Sequence, residues 1–207
     1  LNTALFYDTE TSGLPLFSEP SEDPRQPHIV QLGALLVDLD TDKTLASMDV
    51  IVRPHGWTIP DEVSAIHGIT TEMAMDLGIP EGTAVEMLLE MWRPSAPRLR
   101  IGHNESFDAR ILRIGLMRHC DAEMADQWKA GNAECTAVLT TKLCALPPTE
   151  AMRRTGRSHF KTPKLTEAYR HLFGRELQNA HSAMADAQAC REVYQHVKRP
   201  APEALAA

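Results

Sequence analysis

The sequence predicts a single α/β domain of about five strands flanked by helices, and three observations point there. Strand-like apolar runs at residues 4–7, 29–38 and 45–53 follow one another with no helix between them. Two shorter runs, at residues 99–102 and 134–136, each lead directly into helical periodicity. The chain has 207 residues and is 43% hydrophobic, enough for one sizeable core and short for two.

In order, the first run ends in Asp8-Thr9-Glu10-Thr11 before the turn at Ser12-Gly13. Side chains of an extended segment alternate faces, so Asp8 and Glu10 share one side and Thr9 takes the other. Carboxylates that close repel and raise each other's pKa, which is costly unless a cation or a shared proton offsets it. An isolated D-x-E also fits a solvated strand end, so partners elsewhere in the chain decide its meaning.

Residues 15–27 hold four prolines among Ser, Glu and Asp and read as an exposed loop. The runs at 29–38 and 45–53 flank a turn-forming Asp40-Thr41-Asp42-Lys43 cluster, so the first three strands form a meander. Short helices are expected at 60–65 and 70–77, around the loop that holds His67. A longer one at 83–92 places Val85, Leu88, Leu89 and Trp92 on one face.

After the strand at 99–102, a helix is expected over 107–118. Asp108 lies below Ile111, Leu112 and Gly115 on its apolar side. An inward acid must be paired or liganded, and its place in the first turn favours the ionised form. A fifth short strand and a helix at 137–145 follow. Residues 152–164 then carry Arg153, Arg154, Arg157, Lys161 and Lys164 with no acid, which fits either a solvated loop or a phosphate-facing one. A helix over 165–173 ends at Gly174. The last helix starts from Ser182 as N-cap and runs to about 197, with Asp186 at the edge of its buried stripe and His181 in the loop ahead of it. The segment 199–207 is expected to be a disordered tail, leaving 1–198 as the domain.

Composition narrows the classes. No apolar run approaches the ~18 residues of a membrane span, and the start shows no secretory pattern, so a cytoplasmic protein without a membrane partner is expected. Cys120, Cys135, Cys144 and Cys190 are too scattered for a zinc site or a disulfide framework. A net charge of -7 runs against a nucleic-acid partner unless acids that hold metal account for part of it.

The segments DTETSGL, GHNESFD and HSAMAD resemble, in order and spacing, the three motifs of the DEDDh family of 3′-to-5′ exonucleases. Within that family they resemble the proofreading epsilon subunit of bacterial DNA polymerase III. His67-Gly68-Ile69-Thr70 is similar to a further family segment. The resemblance implies an RNase H-like fold with a mixed central sheet. It implies that Asp8, Glu10, Asp108 and Asp186 hold two Mg²⁺ or Mn²⁺ ions, with His181 as general base and Glu10 sharing the catalytic role. Hard divalent ions do take such oxygen ligands. For the substrate it implies Thr9, Thr11 and Gly13 near the terminal nucleotide, Leu14 against the last base, Phe107 stacking, and Asn104 and His67 at phosphate and sugar. Each has a structural alternative: Phe107 in the core, Leu14 as a loop anchor, His67 in a turn, Asn104 as a cap.

The expected activity is release of nucleoside 5′-monophosphates from the 3′ end of single-stranded or frayed DNA. Trimming of short RNA is the alternative, and a silent nucleic-acid-binding module the third reading. The long segments 15–27 and 147–163 depart from the epsilon pattern, and the chain ends soon after the third motif. A free-standing enzyme is therefore expected rather than a polymerase subunit, with any polymerase or repair partner unspecified.

Overall fold

The computed structural model describes residues 1–93 and 97–198, so the expected tail from Arg199 lies outside the described residues. Five strands form one mixed sheet in the order β3-β2-β1-β4-β5. They are β1 (Thr3–Thr11), β2 (Ile29–Asp38), β3 (Lys43–Ile51), β4 (Leu99–Gly102) and β5 (Ala133–Cys135). β1, β2 and β3 are the expected antiparallel meander, while β4 and β5 run parallel to β1.

The helices are α1 (Asp61–His67), α2 (Thr71–Leu77), α3 (Glu81–Trp92), α4 (Glu105–His119), α5 (Ala122–Ala130), α6 (Thr136–Cys144), α7 (Glu150–Arg154), α8 (Leu165–Phe173) and α9 (Ala183–Lys198). Alternation along β1 divides the core. Ala4 and Phe6 meet Cys190 and Tyr194 of α9 on one face. Leu5 and Tyr7 face α3, α4 and α5 through Leu88, Leu112 and Trp128 on the other. With helices on both sides, every position of β2 is buried. Among the described residues no helix is long and apolar enough to cross a membrane.

Three elements differ from expectation. β1 is longer than its apolar stretch, because pairing with β2 continues as far as Thr11 opposite Ile29 even where the residues are polar. Helix α5 was unexpected. Its signal is Asp121, which accepts the Met124 N–H at 2.7 Å, followed by the buried pair Ala125 and Trp128. The basic stretch contains a helical turn, α7, in which Arg154 pairs with Glu150, and Lys161 pairs with Glu167 of α8.

The proline-rich loop is not a free loop. Buried Gln26 accepts the Leu16 N–H at 3.0 Å and donates to the Leu16 and Pro20 carbonyls at 3.1 and 2.9 Å. From α4, Arg110 donates to Glu19 O at 2.5 Å and Arg118 to Gln26 O at 2.9 Å. The residue after the loop joins a second anchor, where His28 and His119 each lie 2.8 Å from the buried Glu81 carboxylate. Burial alone would push Glu81 up, but its bonds from His119, His28 and the Ile29 amide prevail and hold it at about 2.

Candidate active site

The site begins where β4 stops. β4 pairs with β1 only from Ala4 to Phe6, the last pair being Phe6 with Ile101. The chain then turns at Gly102 into α4, while β1 runs on for five more residues beside β2 alone. The overhang carries Asp8 and Glu10 toward α9. It leaves a gap on the β4 side, and the first turn of α4 fills that gap with Asp108.

Asp108 is 3% exposed. Its Oδ1 accepts both the Thr9 N–H at 3.0 Å and the Thr9 hydroxyl at 2.7 Å. Thr9 points away from Asp8 and Glu10, as strand alternation requires, and reaches the acid on the other face. From the α9 side, Asp186 in the first turn accepts the His181 N–H on Oδ2 at 3.2 Å, while its buried Oδ1 has no hydrogen-bond partner. One ligand atom each from Glu10, His181 and Asp186 lie within 4.8 Å of one another. His181 is exposed with φ 68°, a left-handed turn that directs it out of the helix.

The electrostatics match this crowding. Burial and the charges of Asp108, Asp186 and Glu10 hold Asp8 well above the usual carboxylate range. Burial and the Asp186 charge raise Glu10 to about 7. Burial, with the Glu105 charge adding to it, raises Asp108 to about 7 against the lowering effect of both Thr9 bonds. Asp186 is raised by burial and partly relieved by His181. Four acids held toward their neutral forms, one of them with a buried oxygen that lacks a partner, are chemically incomplete, and oxygen-seeking divalent cations suit such a set.

The second group of expected residues divides. The Thr9 hydroxyl is engaged by Asp108, and the residue is 6% exposed. The Thr11 hydroxyl is also taken, donating to the Gly13 carbonyl at 2.8 Å, so it shapes the turn that presents Leu14. Leu14 is 76% exposed and anchors no loop. Asn104 is exposed at φ 66° and its side chain does not cap α4. Phe107 is half-buried against the α3–α4 core. His67 closes α1 before Gly68 in a left-handed turn. Its Nδ1 accepts the Ile69 N–H at 3.1 Å, leaving Nε2 as the buried ring nitrogen without a partner. Burial first, and then the His181 charge, lower its pKa.

Two positioning residues were not foreseen. Gly33 stands opposite Asp8 in β2, and a Cβ there would meet Met184 N at 2.4 Å and the Ala183 carbonyl carbon at 2.5 Å. The first turn of α9 thus rests on bare backbone. Gln31 accepts the Ala183 N–H at 3.1 Å and donates to Asp49 at 2.8 Å, capping the same turn. A glycine and a glutamine inside an apolar strand were the available signals.

No curated protein matches the chain. E. coli exonuclease I in complex with a dT13 oligonucleotide superposes with a TM-score of 0.72 at 20% identity, covering 99% of this chain and 43% of that one. The zinc-bound E. coli exonuclease I–ssDNA complex gives 0.71 at 21% identity, with 98% and 42% coverage. Exonuclease I from Methylocaldum szegediense gives 0.69 at 21%, again with 98% and 42%. The chain spans less than half of those structures, and at this identity the likeness shows the fold, which is RNase H-like as expected. The likeness to the epsilon subunit rests on the three motifs alone. The Exonuclease (RNase_T) family model matches residues 5–194, from the first strand into the last helix, and the chain therefore belongs to the exonuclease family.

Proposed function

We propose that residues 1–198 form one 3′-to-5′ exonuclease domain that releases nucleoside 5′-monophosphates from the 3′ end of single-stranded DNA in a metal-dependent reaction. The observation that carries this is the cluster of ligand atoms from Glu10, His181 and Asp186 within 4.8 Å of one another, with Asp8 buried beside the charges of Asp108 and Asp186 and with Asp186 Oδ1 lacking a hydrogen-bond partner. The oligonucleotide complexes of exonuclease I support single-stranded DNA as the substrate class.

In this reading the four carboxylates hold two divalent cations, Mg²⁺ or Mn²⁺. Bound there, such ions acidify a water and offset charge on the attacking and leaving oxygens of an in-line displacement. His181, exposed at the mouth, takes the proton of the attacking water. The new bond joins that oxygen to phosphorus, and the bond to the 3′-oxygen of the preceding nucleotide breaks. Thr9 fixes Asp108, while Gln31 and Gly33 fix the start of α9. The neutral His67 carries its proton on Nε2 and donates into the cleft beside His181. Leu14 and Phe107 offer apolar surface to the terminal bases.

Digestion of 5′-labelled and 3′-labelled DNA and RNA oligonucleotides with Mg²⁺ or Mn²⁺ tests this. The expected result is stepwise loss of 5′-monophosphates from the DNA 3′ end, at least ~10³-fold slower in Asp8→Asn, which still unfolds cooperatively. Undiminished release in that variant, or 5′-to-3′ polarity, would refute it. Faster cleavage of RNA would move the proposal to the exoribonuclease.

A further inference from the structure

On the outer side of α4, away from the carboxylates, a groove of about 490 Å³ lies between the proline-rich loop, α4 and the end of α5. Arg100, Arg110, Arg113 and Lys129 line it. This stands against the chain's net charge of -7.

The balance inside the groove is positive. Arg100 is 3% exposed, donates to the Trp128 carbonyl and lies 4.1 Å from the Trp128 ring. The carboxylate facing it, Glu105, lies 3.3 Å from its Nε and also takes the Tyr7 hydroxyl at 2.8 Å, so this buried pair is neutral. Arg113 is matched by Asp126 at 2.9 Å and holds Ser21 by Nε at 3.2 Å. Arg110 spends Nη2 on the Glu19 carbonyl, and its buried Nε has no hydrogen-bond partner. Neither Arg110 nor Lys129 forms an ion pair among the described residues. Against these two cations stands one exposed acid, Glu22.

A planar guanidinium whose Nη1 makes no hydrogen bond among the described residues, a lysine ammonium and the Ser106 hydroxyl lining one groove suit a phosphate oxygen better than a neutral ligand. Place matters as well. Ser106 and Ala109 flank Asp108 in the first turns of the same helix, so the groove opens about one helix diameter, ~10 Å, from that acid.

We infer that this groove is a second anion site that takes a phosphate group of the nucleic-acid strand, a short distance back from the end that reacts. The assignment to a strand rests on the exonuclease reading above. The phosphate chemistry of the groove does not.

The test is binding without hydrolysis. In EDTA, fluorescence anisotropy of labelled oligo-dT of three and twelve nucleotides is measured for the wild type, Lys129→Gln and Arg110→Gln/Lys129→Gln, over a salt series. The expected result for the twelve-mer is weakening of about threefold and tenfold, with the slope of log affinity against log salt falling by ~0.7 per cation removed. The trimer is unaffected, and so is the rate at which each variant cleaves it with Mg²⁺. Lys129 is exposed, so its single variant stays interpretable if the double variant misfolds. A parallel titration with dTMP separates the sources. Equal weakening of dTMP, with no length effect, assigns the same phosphate chemistry to a free monoester. Unchanged affinities and slopes for all three ligands in well-folded variants overturn the site. Cleavage by the wild type is scored separately, so failure of the exonuclease reading is not confused with failure of the groove.

Discussion

At Thr9, a hydroxyl and an amide converge on one oxygen of Asp108. Removing the hydroxyl in Thr9→Val keeps the amide bond and the shape but loosens the carboxylate. A charge-assisted bond of this kind contributes about 1.5–3 kcal/mol, and loss of a support behind a metal ligand typically costs ~10–100-fold in metal affinity. The metal concentration for half-maximal activity should therefore rise about tenfold or more, with most of kcat recovered at saturating metal, and Thr9→Ser should restore it. A metal titration of initial rates reads this directly. Alternation alone placed Thr9 opposite the two acids. It could not show that the hydroxyl was already spent, because its partner lies 99 residues away in sequence.

Elements explain why some features were legible and others were not. Periodicity and end signals located β2, β4, α8 with its Gly174 cap and the inward Asp108, since each depends on neighbours within a few residues. The length of β1, the pinning of the proline-rich loop by Gln26 and Arg110, and the seat of α9 on Gly33 depend on partners distant in sequence, which no local pattern encodes. The Gly33 contact gives a prediction for the whole helix. A methyl group there meets backbone at 2.4–2.7 Å, so α9 must lift. A shift of the order of 1 Å between Asp186 and the β1 acids should lower kcat by ~100-fold, with a stability loss of about 1–3 kcal/mol. Nucleotide release and urea denaturation of Gly33→Ala report the two effects, and activity should fall much further than stability.

Across the whole molecule, the carboxylates tie folding to pH and, on the function proposed above, to metal. Asp8, Glu10, Asp108 and Asp186 all have folded-state pKa values above their unfolded ones, Glu10 and Asp108 at about 7. A carboxyl raised on folding favours the native state fully below its unfolded value, near 4, and loses that contribution as pH rises through the folded value. The metal-free protein should therefore lose this stability between about pH 4 and 7, opposite in sign to Glu81, whose contribution is lost as pH falls from about 4.5 to about 2. Cations that bind the native carboxylates should restore the loss. At pH 7.5 a saturating divalent ion should raise the melting temperature by about 5–10 °C, and at pH 5 by much less. In EDTA, Asp8→Asn should melt above the wild type, since it removes the most crowded charge. Calorimetry with and without metal at the two pH values checks both.

The overhang of β1 beyond β4 has a cost unrelated to catalysis. A strand running past its neighbour exposes unpaired backbone N–H groups, the template on which other chains add strands and aggregate. Here a side chain substitutes for the missing strand, because Asp108 Oδ1 accepts the Thr9 N–H at 3.0 Å. Asp108 is thus a guard of the sheet edge as well as a member of the proposed ligand set. Asp108→Ala should be inactive and also scatter light on concentration. Asp108→Asn, which keeps the acceptor, should be as inactive and remain in solution, and so should Asp8→Ala.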